Sequence, residues 1–209
     1  MDSEYDFWLL DLDGTVVDVE TSYIHEVCTE VGERLGVSFT GQESELLWYG
    51  FDGERERVLS SAGVDPGRFW DTFHAVEQPE QRADATHLYA DAEAFVSEVD
   101  APLGVVTHCQ EYLTGPVLDT LDIADWFETV VCCDEQTGWK PDPRPVELAM
   151  DDLGVGHNGH EGALVGDDPQ DVGAAHNAGL AGIHLRRHDP ARFGETPGTH
   201  HVDALTDLV

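Results

Sequence analysis

Five short apolar runs recur along the chain, and each of them is followed by a polar residue or a turn. They cover residues 7–10, 103–106, 130–133, 163–165 and 181–185. The first four runs are continuous rather than alternating, which is typical of strands buried on both faces of a parallel sheet. Segments with helical patterns separate the runs, at residues 89–99, 112–121, 143–153 and 169–178. Strands that alternate with helices predict an α/β fold whose core is a doubly wound, Rossmann-like parallel sheet.

The segment from residue 17 to residue 85 has a different pattern. Apolar residues recur at helical spacing from Ile24 to Leu35, and shorter helical patterns follow at residues 46–49, 58–62 and 69–73. The segment contains no apolar run comparable with the strand candidates on either side. We therefore expect residues 17–85 to form an all-helical cap inserted after the first strand, with residues 1–16 and 86–209 forming the α/β core.

Polar residues follow three of the predicted strands, at the points where parallel strands would end along one edge of the sheet. Asp11 follows the first run, Thr107 follows the second, and Asp167 comes after the run at 163–165. Because ligands bind outside the carboxyl ends of the strands in such sheets, these side chains are candidates for one site. Asp13 belongs to the same group, since residues i and i+2 of an extended segment point to the same side.

The carboxylates of Asp11 and Asp13 would repel each other at a buried strand end. At a separation of ~4 Å the repulsion costs roughly 4 kcal/mol, with an effective dielectric constant of about 20. Lys140 is a candidate for the neutralising cation, because it is the only lysine among 10 basic residues. With Asp167 and Asp171 added, the site would hold more carboxylates than one lysine can neutralise. Oxygen ligands without His or Cys then point to Mg²⁺ as a second cation.

A carboxylate, a lysine, a metal ion and a hydroxyl group together make a binding site for a phosphoryl group. The metal and Lys140 would neutralise the phosphoryl oxygens, and Thr107 would donate a hydrogen bond to them. A carboxylate would then attack the phosphorus atom in line and form an aspartyl-phosphate, which divides one slow hydrolysis into two faster steps.

Four segments of the chain resemble, in order and spacing, the motifs of the haloacid dehalogenase-like (HAD) hydrolase superfamily. The segments are DLDGT at 11–15, VVTH at 105–108, WKPDP at 139–143 and VGDDPQDVGAAHNAG at 165–179. The helical insertion resembles the cap of the phosphoglycolate phosphatase-like branch. This resemblance implies a Mg²⁺-dependent phosphatase that hydrolyses a small phosphorylated metabolite through an aspartyl-phosphate. A phosphoglycolate-like compound is the candidate substrate.

The resemblance also implies a role for each motif residue. Asp11 would be the nucleophile and a metal ligand. Asp13 would be the general acid and base, which protonates the leaving oxygen and then activates water, while its backbone carbonyl binds the metal. Thr107 and Lys140 would hold the phosphoryl group. Asp167 would bind Mg²⁺.

Several polar residues near the motifs have a structural interpretation beside the functional one. Asp168 precedes Pro169, which favours a helix cap over a ligand role, whereas Asp171 suits both a cap and support of the metal. His108 stands where asparagine is common in the second motif, and it would contact the phosphate through its backbone N–H. Arg55 in the cap is a candidate for substrate binding, although arginines in so acidic a chain often form ion pairs on their own helix.

The charge of the chain limits its partners and its location. It has 43 acidic and 10 basic residues, and its formal net charge is −33. The acids are spread along the whole chain, which predicts a folded protein with an acidic shell and argues against nucleic acid as a partner. Such a shell suits a cytoplasm at molar salt, where the Debye length is ~3 Å. We expect a cytoplasmic monomer or homodimer with neither a membrane span nor a secretory signal.

Two other functions remain open at this level. A phosphosugar mutase would use the same Asp11 and Asp13 pair but would return the phosphoryl group to the sugar. A receiver-type signalling module also clusters acids and a lysine around a phosphorylated aspartate. That module needs neither a helical insertion nor a second acid placed to activate water.

Overall fold

The alternation of strands and helices is present in the computed structural model, which describes residues 5–51, 53–156, 159–189 and 200–209. In chain order the strands are β1 (Phe7–Leu10), β2 (Val17–Val19), β3 (Thr86–Leu88), β4 (Leu103–Thr107), β5 (Thr129–Cys132), β6 (Gly162–Gly166), β7 (Ala181–Leu185) and β8 (His200–Val202). The α-helices are α1 (Thr21–Leu35), α2 (Gly41–Tyr49), α3 (Glu54–Ala62), α4 (Pro66–Val76), α5 (Pro79–Asp84), α6 (Ala90–Glu98), α7 (Glu111–Thr120), α8 (Arg144–Asp152) and α9 (Pro169–Asn177). None of the helices in these described ranges is both long enough and apolar enough to cross a membrane.

The strands other than β2 and β3 form one sheet with the order β5-β4-β1-β6-β7-β8, and every neighbouring pair is parallel. β1 lies inside the sheet, where Leu10 is opposite Val105 of β4 and Val165 of β6. Successive side chains of β1 point to opposite faces, so Trp8 packs in one apolar layer and Leu9 in another. The five apolar runs all form strands of this sheet. The predicted α/β fold with a parallel sheet is therefore confirmed.

Helices α1 to α5 form the helical insertion, residues 21–84, between β2 and β3. Their apolar side chains build a cluster of their own, which includes Ile24, Leu47 and Phe69. At the base of the insertion β2 and β3 pair antiparallel, with Val19 opposite Thr86. The insertion therefore has its own apolar core and enters and leaves the α/β core through two paired strands.

Residues 17–19 differ from the prediction, which placed them in an all-helical segment. They form β2, in which Val17 and Val19 are buried and Asp18 is half-buried, the alternation of a strand with one buried face. A segment of three residues with a central aspartate is too short to be recognised as an apolar run. The edge strand β8 was missed for the same reason, and it begins with two histidines. The division of the chain at residues 16–17 and 85–86 stays a prediction.

Asp18 connects the helical insertion with the α/β core. Its carboxylate accepts hydrogen bonds from the hydroxyl of Tyr49 in α2 at 2.8 Å and from the hydroxyl of Tyr89, just after β3, at 2.7 Å. Asp18 is therefore a contact at the hinge between the insertion and the core rather than a free charge on the surface.

Candidate active site

Three neighbouring strands bring polar side chains to one edge of the sheet. β4 ends at Thr107, Asp11 follows β1, Asp167 follows β6, and these strands are adjacent in the order β4-β1-β6. A cavity of about 1410 Å³ lies between this edge and the helical insertion. Lys140 and Asp171 line the same cavity, so residues from all four sequence motifs meet there.

Lys140 is buried between two carboxylates and a backbone carbonyl. Its Nζ donates to Oδ1 of Asp11 at 2.8 Å and to the carbonyl of Val106 at 2.9 Å, and it lies 2.5 Å from Oδ1 of Asp171. Burial alone would lower the pKa of Lys140, but the negative charges of Asp11 and Asp171 raise that pKa above its usual value. The lysine is therefore positively charged and fixed beside the Asp11 carboxylate.

The carboxylates need more positive charge than Lys140 supplies. Burial raises the pKa of Asp11 to about 7, and Lys140 opposes this rise, whereas Asp171 and Asp13 add to it. The pKa of Asp167 is raised well above its usual value by burial and then by the charges of Asp11 and Asp171. Both groups lie where a further cation would hold them in the ionised form at neutral pH.

The donor set fits Mg²⁺. Asp11, Asp167 and Asp171 each offer a carboxylate oxygen, and these oxygens all lie within 4.8 Å of one another. Gly14 has a φ of 75°, and a Cβ at this position would overlap the Asp167 carboxylate, so glycine permits this close approach. An oxygen-only set with excess negative charge is typical of Mg²⁺ sites. The metal roles of these aspartates, and of the backbone carbonyl of Asp13, stay predictions.

Asp171 performs two structural tasks at once. Its Oδ2 accepts the backbone N–H of Asp168 at 3.1 Å, while its Oδ1 faces Lys140. Asp168 in turn accepts the N–H of Gln170 at 2.9 Å, which completes a reciprocal cap at the start of α9. Asp168 and Asp171 therefore cap α9, as the sequence indicated. Asp171 also contacts Lys140.

Asp13 lies where the core meets the helical insertion, and 28% of its side chain is exposed. Its Oδ1 accepts a hydrogen bond from Nη2 of Arg82, which belongs to α5 of the insertion. Arg82 was not among the predicted site residues, because the surrounding segment is polar and matches no motif. The only feature of the sequence that could have indicated a role for Arg82 is the small number of basic residues in the chain.

Thr107 and His108 hold the loop after β4 in place. The hydroxyl oxygen of Thr107 accepts the N–H of Cys109 at 3.0 Å, and no acceptor for its proton lies among the described residues. Nε2 of His108 accepts the backbone N–H of Lys140 at 3.0 Å, so the side chain of His108 positions the lysine. The role of the His108 backbone N–H in binding the phosphate stays a prediction. The side-chain contact with Lys140 is a separate role, which the sequence did not indicate.

Arg55 lies on the wall of the cavity and reaches from the insertion to the core. Its Nη2 donates to the carbonyl of Trp48 at 2.8 Å, and its Nη1 lies 3.4 Å from Oδ2 of Asp168. Arg57, two residues further along α3, is exposed and pairs with Glu54. Arg55 therefore faces the site and Arg57 does not, and substrate binding by Arg55 stays a prediction.

Comparison with known proteins agrees with this geometry. The profile of the family described as haloacid dehalogenase-like hydrolase matches residues 8–184. The phosphoglycolate phosphatase of Yersinia pseudotuberculosis serotype I is 28% identical in an alignment that covers 93% of this chain and 86% of that protein. The phosphoglycolate phosphatase of Nitrosococcus oceani is 28% identical in an alignment that covers 81% of this chain and 79% of that protein.

Solved structures with low sequence identity share the fold. A protein described as a predicted phosphatase from Clostridium acetobutylicum aligns with a TM-score of 0.76 at 18% identity, covering 99% of this chain and 97% of that one. A haloacid dehalogenase-like family protein from Streptococcus pneumoniae aligns with a TM-score of 0.74 at 16% identity, covering 98% and 96%. The resemblance stated from the sequence motifs is confirmed by the family match. The chain belongs to the haloacid dehalogenase-like hydrolase family.

Proposed function

We propose that this haloacid dehalogenase-like phosphatase uses Mg²⁺ and an aspartyl-phosphate intermediate to hydrolyse a small phosphomonoester. The observation that carries the proposal is the contact between Lys140 and Asp11 in the cavity, beside two further aspartates. A single lysine between two carboxylates, with a third carboxylate close by, is expected at a site for a metal ion and a phosphoryl group.

The chain's own residues account for each step of this reaction. The Asp11 carboxylate, held by Lys140, attacks the phosphorus atom, and the ester oxygen leaves with a proton from Asp13. Asp13 then accepts a proton from the water molecule that attacks the aspartyl-phosphate. Lys140 and the hydroxyl of Thr107 neutralise and orient the phosphoryl oxygens. A bound Mg²⁺, held by the aspartate cluster, would supply additional positive charge to these oxygens.

The position of the helical insertion determines where the leaving group of the substrate lies. The insertion covers the strand ends, and Arg55 and Trp48 lie on the cavity wall, so the leaving group enters a space between two parts of the chain. The curated relatives described above are phosphoglycolate phosphatases, which supports a small phosphorylated acid as the substrate. We further propose a cytoplasm of high salt as the location, on the basis of the net charge of −33.

Phosphate release from 2-phosphoglycolate, measured with Mg²⁺ at molar KCl, tests the proposal. We expect turnover by the wild type and a loss of roughly 10³-fold or more in Asp11→Asn, because removal of a nucleophile abolishes the covalent route. Arg57→Gln is the matched control, since Arg57 is exposed outside the cavity. Mass spectrometry of the rapidly quenched wild type should detect phosphorylated Asp11.

Two results would contradict the proposal. Turnover that survives in Asp11→Asn would exclude Asp11 as the nucleophile. Conversion of a phosphosugar into its isomer, with no release of phosphate, would identify the mutase that the Asp11 and Asp13 pair also permits.

A further inference from the structure

Arg82 is a buried cation for which the proposed reaction has no role. Its side chain is 1% exposed, its Nη2 donates to Asp13, and its Nε lies 4.0 Å from Oε1 of Glu77. The guanidinium carbon lies 5.1 Å from the ring centroid of Trp48 and 5.9 Å from that of Tyr23. Nη1 is buried and has no hydrogen-bond partner among the described residues.

Stability alone does not account for this arrangement. A buried ion pair is often no more stabilising than apolar side chains of the same volume, because both charges must be removed from water. A buried N–H group without an acceptor is unfavourable in addition. Tyr23 and Trp48 offer apolar surface against which an aliphatic side chain would pack at position 82. Arg82 therefore keeps one donor, on Nη1, for an acceptor group that the described residues do not supply.

The position of Arg82 identifies the part of the substrate that it meets. Arg82 lines the cavity together with Asp11 and Lys140, and it touches Asp13. Asp13 protonates the leaving oxygen in the proposed reaction, so the atoms bonded to that oxygen lie next to the guanidinium. In a phosphorylated 2-hydroxy acid a single carbon separates the leaving oxygen from the carboxylate. The carboxylate of such a substrate is consequently within reach of Arg82.

Arg55, the other arginine of the cavity, faces a different part of the site. Its Nη1 lies 3.4 Å from Asp168, the residue that follows Asp167 at the end of β6. That contact directs Arg55 towards the predicted metal cluster and the phosphoryl group. Arg82 is therefore the cation that lies beside the leaving group.

We propose that Arg82 is a specificity-determining residue that binds the carboxylate of a phosphorylated 2-hydroxy acid, an inference that rests on the proposed function. Nη1 offers its N–H groups to the carboxylate, and the planar guanidinium fixes their direction, which the ammonium group of lysine does not. Glu77, Tyr23 and Trp48 hold the guanidinium in place before the substrate binds, which reduces the entropy lost on binding.

The experiment compares 2-phosphoglycolate with ethyl phosphate, which has the same chain of two carbons but lacks the carboxylate. kcat/KM is measured for both esters with Mg²⁺ at molar KCl, in the wild type and in Arg82→Lys. We expect the wild type to prefer 2-phosphoglycolate by about 10–100-fold, the range for hydrogen bonds between charged groups, and Arg82→Lys to lose most of this preference. Arg57→Lys, the same substitution on the exposed side of α3, should keep it.

The ratio between the two substrates separates recognition of the carboxylate from other effects of the substitution. Equal losses on both esters would show that Arg82 only positions Asp13 or supports the insertion, and would overturn the proposal. A wild type that turns over both esters equally would also overturn it, without any need for the variant to fold.

Binding provides a second measurement that does not depend on turnover. Calorimetric titration of 2-phosphoglycolate into Asp11→Asn and into Asp11→Asn/Arg82→Lys should show affinity about 10–100-fold weaker in the double variant. Equal affinities would overturn the role of Arg82. A wild type that hydrolyses neither ester would contradict the proposed function, and the calorimetric comparison would still decide whether Arg82 binds the carboxylate.

Discussion

Burial of His108 makes the stability of this protein depend on pH. Nε2 of His108 accepts the backbone N–H of Lys140, and burial, with smaller effects of the Lys140 and Arg55 charges, lowers the pKa from 6.5 to about 2. A histidine with a lower pKa in the folded than in the unfolded protein binds fewer protons when folded. Its contribution to stability is therefore fully present above the unfolded pKa and is lost as the pH falls below it.

The magnitude follows from the two pKa values. Between about pH 7 and about pH 5 the unfolded histidine takes up a proton and the folded one does not, so the contribution of His108 to the free energy of unfolding falls by about 2 kcal/mol. The variant His108→Asn has no imidazole at this position, so its free energy of unfolding does not fall in this way. At about pH 7 we expect the variant to be about 1 kcal/mol less stable than the wild type, because the contact with the Lys140 N–H is lost. The two stability curves should therefore cross before about pH 5.

Urea unfolding at molar KCl, followed by tryptophan fluorescence and extrapolated linearly to water, measures these free energies. His87→Asn is the control, because His87 is exposed in β3 and its replacement should leave the pH dependence of the wild type unchanged. The pKa values of His74 and His184 are also lowered by burial, but both residues are present in each protein, so they cancel in the difference. Parallel curves for the wild type and His108→Asn would refute the reasoning.

Four further perturbations test the metal cluster, the hinge and the acidic shell. Lys140→Met leaves two buried carboxylates unpaired, so urea unfolding in EDTA should show a loss of about 3–5 kcal/mol, and a loss no larger than that of Arg57→Met would contradict the buried ion pairs. Gly14→Ala brings a Cβ against the metal cluster, so calorimetric Mg²⁺ affinity should fall about 10–100-fold, whereas unchanged affinity would exclude this geometry. Tyr49→Phe removes a hydrogen bond to Asp18 and should lower the free energy of unfolding by about 1 kcal/mol at every KCl concentration. The Tm of the wild type should itself rise with KCl, and a Tm that is independent of KCl would contradict salt adaptation.

The strand-end residues were predictable because the sheet imposes their position. Asp11, Thr107 and Asp167 come together because β1, β4 and β6 are neighbouring parallel strands. Lys140, which is 129 residues from Asp11 and lies in the loop after β5, was predicted because it is the only lysine of the chain. The approach of Arg82 to Asp13 follows from no such rule, since it depends on how α5 packs against the core. The side chain of His108 is a similar case, because its contact with the Lys140 backbone depends on the conformations of two loops.

The distribution of charge explains how so acidic a protein can bind an anionic phosphoester. Two of its few cations, Lys140 and Arg82, have side chains only 3% and 1% exposed and lie beside carboxylates that face the cavity. At molar salt the Debye length is ~3 Å, so repulsion between the acidic shell and an approaching anion is screened. The buried cations are screened much less, and they attract the anion once it has entered the cavity. Molar salt therefore screens the repulsion between the acidic surface and the substrate but has little effect on the attraction between the substrate and the buried cations of the cavity.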